Sequence, residues 1–214
     1  LSLKVNEIFF SIQGESLYAG LACVFIRLTG CNLRCCYCDT RYAYAEGRDM
    51  GIATILDRVS GFGCPLVEIT GGEPLLQRDA PKLIAALLDQ DFTVLLETNG
   101  SFDLSAVDPR CVKIVDLKCP SSGQSEHNHL ANLGRLSRMD QLKCVIGDRT
   151  DYDYACSQMD RLPPAWPMDH VLFSPIVAQL PPARLAAWML ADRLQARLHL
   201  QLHKVIWPDR DRGV

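Results

Sequence analysis

No apolar run in this sequence approaches the ~18 residues that a membrane-spanning helix needs, so none is expected. Residues 1–20, LSLKVNEIFFSIQGESLYAG, lack the basic start and continuous apolar core of a secretory signal, and the cytoplasm is the expected location. Excess charge is missing as well. Lys and Arg total 22 against 25 Asp and Glu, a formal net charge of −3, with no basic stripe and no basic run laced with aromatics. Nucleic acid is therefore not an expected partner. Repeats and low-complexity linkers are absent, and the closing PDRDRGV balances its arginines with aspartates like a solvated tail. What remains is a 214-residue chain, 48 % hydrophobic, with apolar mass for one sizeable core and a single domain over residues 1–214.

Cysteine, by contrast, is plentiful. Ten cysteines suggest a disulfide scaffold, but such scaffolds are usually shorter than ~80 residues and poor in core. Cys23, Cys64, Cys111, Cys144 and Cys156 are dispersed, mostly among apolar neighbours, and read as small buried hydrophobes. Cys31, Cys35, Cys36 and Cys38 instead crowd into one stretch, GCNLRCCYCDT, Gly30 to Thr40. A disulfide knot, a zinc ion and an iron–sulfur cluster would each use such a stretch.

Along the chain, β-rich runs alternate with helical patterns. Strands are expected at Ala22–Thr29, Leu66–Thr70, Thr93–Thr98, Val112–Lys118, Gln141–Ile146 and Val171–Phe173, with a further one at Leu198–Val205. Helices are expected at Pro81–Gln90, at Thr150–Met159 behind a Thr cap, and at Pro182–Leu198, where Leu185, Trp188, Met189 and Leu194 form an apolar face. Strand–helix alternation implies a parallel sheet with crossover helices. About six strands are too few for a closed eight-stranded barrel, which needs ~250 residues.

Alternate residues of a strand face opposite sides. In Ala22–Thr29, Ala22, Val24, Ile26 and Leu28 make one apolar face, while Arg27 and Thr29 lie on the other. Val115 and Leu117 oppose Ile114, Asp116 and Lys118; Glu68 shares a side with Thr70; Glu97 faces away from Leu96; and His199, Gln201 and His203 share a side. Charges pointing inward persist when they pair with each other or with a ligand. Their crowding toward carboxyl-terminal strand ends favours a ligand cavity there over a purely structural ion network.

Cys31, Cys35 and Cys38 follow the first expected strand in the spacing C-x3-C-x2-C. Structural zinc takes four Cys or His ligands. Cys36, adjacent to Cys35, is awkward as a fourth, and only a fold-back of His127 or His129 would supply another. Three thiolates suit a 4Fe-4S cluster with one iron left for a small molecule. The spacing resembles the signature of the radical S-adenosylmethionine (SAM) superfamily, and a second motif, ITGGEP at Ile69–Pro74, resembles its Gly-Gly-Glu strand end. Glycine pairs permit a backbone approach that a Cβ would block. The resemblance implies an α/β fold, a partial, open TIM-like barrel of about six mainly parallel strands. It also implies that SAM chelates the vacant iron and yields a 5′-deoxyadenosyl radical on reduction.

Further stretches narrow the likeness. FFSIQGES (Phe9–Ser16), Arg27, CYCDT, LLETNGS, DLKCPSSG and LQLHKVIW (Leu200–Trp207) together resemble the 7-carboxy-7-deazaguanine synthase family, from Asn6 to Trp207. That likeness implies conversion of 6-carboxy-5,6,7,8-tetrahydropterin to 7-carboxy-7-deazaguanine. Hydrogen is abstracted from C6, the ring contracts, ammonia is lost, SAM is regenerated, and the product feeds queuosine and other 7-deazapurines. On the substrate, Arg27 would pair with the carboxylate, Ile12, Gln13 and Gly14 would offer backbone groups, Glu15, Glu97 and His203 would take N–H groups, and Thr70 would add its hydroxyl. Thr40 would ligate Mg²⁺, which prefers oxygen and keeps waters. Tyr37, Cys38, Asp39, Gly71, Gly72 and Glu73 would line SAM, with Asn99, Asp116, Leu117, Lys118, Ser121, Ser174, Pro175 and Ile176 as further candidates. A flavodoxin or ferredoxin would supply electrons, and a homodimer is implied.

Departures from the family pattern also carry expectations. Ser16, where glycine is usual, would narrow the mouth of the site, and Cys36 is an extra thiol beside the cluster. Some relatives hold substrate with a terminal carboxylate soon after the His-Lys pair; here the chain runs on into WPDRDRGV, and no such contact is assigned. Two rivals remain. A glycyl-radical activating enzyme would show an open surface groove. An iron–sulfur electron-transfer protein would fill all four iron sites with thiolates.

Overall fold

The computed structural model describes residues 1–210 and 212–214. Six parallel strands form its centre: β2 (Ala22–Leu28), β4 (Leu66–Gly71), β5 (Thr93–Thr98), β6 (Val112–Leu117), β7 (Gln141–Ile146) and β8 (Val171–Pro175). On one side the sheet continues through antiparallel β1 (Ser2–Ile12) to β3 (Arg48–Gly51); on the other it ends at the two-residue β9 (Arg197–Leu198). The order β3-β1-β2-β4-β5-β6-β7-β8-β9 is linear and does not close. This is the expected open partial barrel.

The outer face of the sheet explains its stability. Val24 and Ile26 of β2, Val67 and Ile69 of β4 and Val94 and Leu96 of β5 are buried with Ile55 and Val59 of α1 (Ile52–Ser60) and Leu83, Ile84 and Leu87 of α2 (Ala80–Leu88). A second cluster joins Leu142 and Cys144 of β7 and Phe173 of β8 to Tyr152 and Ala155 of α3 (Arg149–Gln158) and Leu185 and Met189 of α4 (Pro182–Ala191). Each such aliphatic side chain contributes about 1.5–3 kcal/mol on burial. Cys23, Cys64, Cys111 and Cys144 are buried, whereas Cys156 is half-buried.

Several elements depart from the sequence reading. The longest strand, β1, was not expected at all. Leu3 and Val5 face the core, but an irregularity between Val5 and Glu7 flips the parity so that Ile8 is the next buried residue. That bulge hides the alternation. Helix α1 begins at Gly51 without a side-chain cap, so it carries no start signal. Helix α3 is capped by Asp148, whose side chain accepts from Asp151 N at 2.9 Å, and not by Thr150. Helix α4 stops at Ala191, ahead of a left-handed Arg193 (φ 50°). The strand expected at Leu198–Val205 is β9 followed by helix α5 (Leu202–Ile206), because Leu202 N turns to donate to Gly14 O at 2.9 Å.

Two of the crossovers between the central parallel strands carry no α-helix. Between β5 and β6, and again between β6 and β7, the chain makes short 3-10 turns. Buried side chains replace the missing helices. Asn132 bonds the backbone of Gly100, Phe102 and Leu104, and Asp151 accepts from Ser121 N and Gly147 N.

Candidate active site

At the carboxyl ends of the parallel strands lies a cavity of about 690 Å³. Strand alternation decides what faces it: Phe25 and Arg27 from β2, Glu68 and Thr70 from β4, Glu97 from β5, Asp116 and then Lys118 from β6, Lys143 and Val145 from β7. The polar inner faces read from the sequence therefore meet in one space.

Beyond β2 the chain turns into the cysteine loop. Cys31, Cys35 and Cys38 all face the cavity, together with Tyr37, Asp39 and Thr40. Leu33 N donates to Cys31 Sγ at 3.4 Å, and Asn99 Nδ2 lies 3.9 Å from the same sulfur. Among the described residues, no group of three or more His, Cys, Asp or Glu side chains is gathered closely enough for a single metal ion. Three thiols lining one cavity are the donor types that an iron–sulfur cluster takes. Neither His127 nor His129 lines the cavity, and Cys36 is exposed on the outside of the loop. Two buried polar atoms of residues on the cavity wall, Tyr37 Oη and Asp116 Oδ1, have no hydrogen-bond partner among the described residues, as expected of groups that await a ligand.

The Gly-Gly pair is required by packing. Gly71 has φ 153°, and a Cβ on Gly72 would meet Cys31 Cβ at 2.7 Å, so the end of β4 lies directly against the cluster loop. Glu73 corrects an expectation. Its carboxylate is fully buried away from the cavity and accepts from Leu75 N at 2.9 Å, Thr98 Oγ1 at 2.9 Å and Asn99 N at 2.7 Å. It clasps the ends of β4 and β5 together. Of the other candidates, Leu117 points into the second core cluster, Ser121 packs beside Gly147, and Ser174 Oγ bonds His199 Nδ1 at 2.9 Å; none lines the cavity. Gly71, Asn99, Asp116, Lys118, Pro175 and Ile176 do.

The far wall is electrostatic. Arg27 Nε donates to Glu7 Oε1 at 2.8 Å, and Tyr42 Oη donates to the same oxygen at 3.1 Å. The guanidinium sits between the Phe9 and Tyr42 rings, 5.8 and 5.7 Å from their centroids. No other hydrogen-bond partner holds it among the described residues, so its Nη atoms are left to bind an anion in fork geometry. Lys118 pairs with Asp116 at 2.7 Å; burial opposes its charge, but Asp116 and the acidic groups of Tyr37 and Cys35 together push the ammonium up.

Near the loop after β1, Ile12, Gln13, Gly14 and Glu15 line the cavity beside His203. A Cβ on Gly14 would collide with the His203 ring, so this position requires glycine. Burial pushes His203 and His199 down, leaving both imidazoles neutral near pH 7. Glu15 is mostly buried, at the cavity edge; burial works against its ionisation, but the Lys143 ammonium holds the carboxyl well below its usual range. Glu68 goes the other way. Burial, then the charges of Glu97 and Glu15, push it well above the usual carboxylate range, and Gln13 Nε2 donates to it.

Ser16 does not narrow the mouth. It is buried, its φ is 64°, and its Oγ accepts from Tyr18 N at 3.1 Å, so the position favours glycine because of the backbone rather than cavity width. Nor is the end of the chain simply solvated: Trp207, Pro208, Arg210 and Val214 line the cavity, while Arg212 pairs with Glu46 at 2.9 Å and lies 4.2 Å from the Tyr42 ring centroid. His199, Gln201 and His203 do not share a strand face; Gln201 instead donates to Glu15 at 2.7 Å. The sequence reading missed Glu7, Tyr42, Glu68 and Lys143 as site residues. Lys143 carried a legible signal, a charge in the middle of an apolar strand.

An open parallel barrel with three thiols and a Gly-Gly strand end at one cavity defines a radical SAM enzyme, and a model of the Radical SAM superfamily matches residues 25–114. Sequence similarity then runs along the whole chain. It is 47% identical to 7-carboxy-7-deazaguanine synthase of Chlorobaculum tepidum, over 99% of this chain and 97% of that one. The same-named protein of Koribacter versatilis is 40% identical, over 99% and 100%. The fold is similar to the crystal structure of QueE from Escherichia coli, with a TM-score of 0.76 and 22% identity over 92% of this chain and 95% of that one. The chain belongs to the 7-carboxy-7-deazaguanine synthase family.

Proposed function

We propose that this chain converts 6-carboxy-5,6,7,8-tetrahydropterin to 7-carboxy-7-deazaguanine with loss of ammonia. The observation that carries the reading is the pairing, in one cavity, of the three-thiol loop with an Arg27 whose forked end is free. A cavity of about 690 Å³ lies within the ~300–1,000 Å³ usual for small-molecule sites, whereas an activating enzyme acting on a protein needs an open groove.

When bound, a 4Fe-4S cluster and SAM supply a reductively generated radical; the hard chemistry is theirs. Cys31, Cys35 and Cys38 would hold the cluster, with Leu33 N–H and the Asn99 amide tempering the Cys31 sulfur. Tyr37, Asp39, Gly71, Gly72, Asn99, Asp116, Lys118, Pro175 and Ile176 would line SAM. Arg27, fixed by Glu7 and Tyr42, would grip the substrate carboxylate. Glu15, Glu97 and neutral His203 would accept ring N–H groups, Thr70 would add a hydroxyl, and the Ile12–Gly14 backbone would bracket the ring edge. Thr40, whose Oγ1 lies 3.8 Å from Cys38 Sγ, would give Mg²⁺ one oxygen, with waters and substrate completing its shell. The electron donor is an external flavodoxin or ferredoxin, the active species a homodimer, and the setting the cytoplasm; no helix is long and apolar enough to cross a membrane among the described residues.

The test is anaerobic reconstitution with iron and sulfide, followed by SAM, reductant, Mg²⁺ and the carboxylated pterin. The expected products, identified by mass, are 7-carboxy-7-deazaguanine and ammonia. SAM cleavage with no deazaguanine would overturn the reaction assigned here.

A further inference from the structure

Lys143 sits in the middle of β7, opposite Asp116 of β6 in register, and its side chain is 5% exposed. Its Nζ lies 2.7 Å from Glu97 Oε1 and also contacts Glu15 Oε2, two residues brought together from β5 and from the loop after β1. The second oxygen of each carboxylate has a neutral donor. Thr70 Oγ1 donates to Glu97 Oε2 at 3.1 Å, and Gln201 Nε2 donates to Glu15 Oε1 at 2.7 Å. A carboxylate offers about four acceptor sites, so each keeps capacity for a further donor from the cavity that both line.

Charge accounting makes the lysine's place specific. Glu15, Glu68 and Glu97 converge on one wall, and among the described residues Lys143 is the only cation in salt-bridge contact with any of them: Lys118 pairs with Asp116, Lys204 with Asp39, and Arg27, though its charge reaches Glu97 through space, with Glu7. His199 and His203, also close to Lys143 and Glu15, are neutral near pH 7. Glu68 answers the crowding by keeping its proton. Glu15 and Glu97 share the one ammonium.

We infer that Lys143 is a positioning residue that joins Glu15 and Glu97 into a paired acceptor for the N–H groups of the pterin ring. The inference rests on the substrate proposed above and adds a residue that does not itself grip the reacting atoms. An ion pair serving only the fold would, when broken, weaken every site on the strand ends alike. A positioning lysine affects the pterin and spares SAM.

The experiment uses the full chain with its cluster reconstituted, and reads the Michaelis constants of pterin and SAM from pH 6 to pH 9 for wild type, Lys143→Met and Lys143→Arg. Wild type is expected to show a flat pterin constant over this range. In Lys143→Met, Glu15 loses the partner that overrides its burial and takes up a proton. The pterin constant then rises at least tenfold at pH 7 and improves as pH rises, while the SAM constant stays within about twofold. Lys143→Arg, which keeps the charge, removes the pH dependence. If Lys143→Met does not hold its cluster, Lys143→Met/Glu97→Gln is compared with Glu97→Gln. The double variant is expected to be pH-dependent and the single variant flat. A flat profile in every variant, or equal losses for pterin and SAM, overturns the inference. Wild-type turnover separates the two failures: no deazaguanine from wild type removes the proposed reaction and this role with it, whereas normal wild-type turnover with unaffected variants removes the role alone.

Discussion

Two halves of the same cavity are built in opposite ways. The cysteine side is a single loop, Cys31 to Thr40, laid against one strand end at Gly71 and Gly72. The opposite side is assembled from Glu7 of β1, Gln13 and Glu15 of the loop after it, Arg27, Glu68, Glu97 and Lys143 from four of the parallel strands, and His203 of α5, which meet only because the sheet brings distant segments together. The first half depends on local chain geometry, the second on the integrity of the whole sheet. As cluster ligands, the three cysteines of the loop would share one function, so its failure would be all or none. A distributed wall can fail by degrees.

The largest effect should fall on the loop. Cys31→Ala, Cys35→Ala or Cys38→Ala is expected to abolish both iron retention and turnover, while Cys36→Ala, removing the exposed neighbour, leaves both intact; iron and sulfide analysis beside turnover checks this. Arg27→Met tests the wall. Losing a charge-assisted hydrogen bond of about 2 kcal/mol corresponds to a rise of roughly thirtyfold in the pterin KM, with the SAM constant unchanged. Glu7→Gln, which only loosens the guanidinium, should raise the same constant by a smaller factor, and parallel kinetics of the two variants would rank them.

Glu68 gives a prediction with a definite sign. Its folded value is raised, so the folded state keeps a proton that the unfolded state releases above ~4.3. Its contribution is therefore fully present below that pH and is lost as pH rises toward the folded value. Glu68→Gln has no proton to lose. Its melting temperature should equal that of wild type near pH 4 and exceed it increasingly from pH 5 to pH 7. The smallest effect is Ser16→Gly. Relief of a left-handed serine, worth about 1–2 kcal/mol, is partly offset by loss of the Oγ bond to Tyr18 N and by glycine entropy, so a melting shift of only a few degrees is expected.

The same contrast governs what the sequence alone discloses. The loop and the Gly-Gly pair are contiguous, so spacing sufficed for them. The inward polar faces of β2, β4, β5 and β6 were legible because strict alternation survives in buried parallel strands. Lys143 obeys the same rule, yet it went unassigned because no motif contains it. Glu7 and Tyr42 were hidden by the irregularity at Val5–Glu7 and by the distance between β1 and the turn after the cysteine loop. Glu73 shows the opposite error: membership in a motif says where the backbone runs and not where the side chain points, and this one ties β4 to β5. Leu198–Val205 reads as a strand by composition, but its backbone is recruited by Gly14 into a turn and a short helix that brings His203 to the site.

The two halves of the cavity are expected to work as one site on one substrate. Its most direct measurement is the ratio of ammonia released to SAM consumed by the reconstituted, oxygen-free protein given reductant and the carboxylated pterin. The expected result is many ammonia molecules per SAM lost, together with deazaguanine. One SAM spent for each turnover, or SAM spent with no ammonia at all, would contradict it.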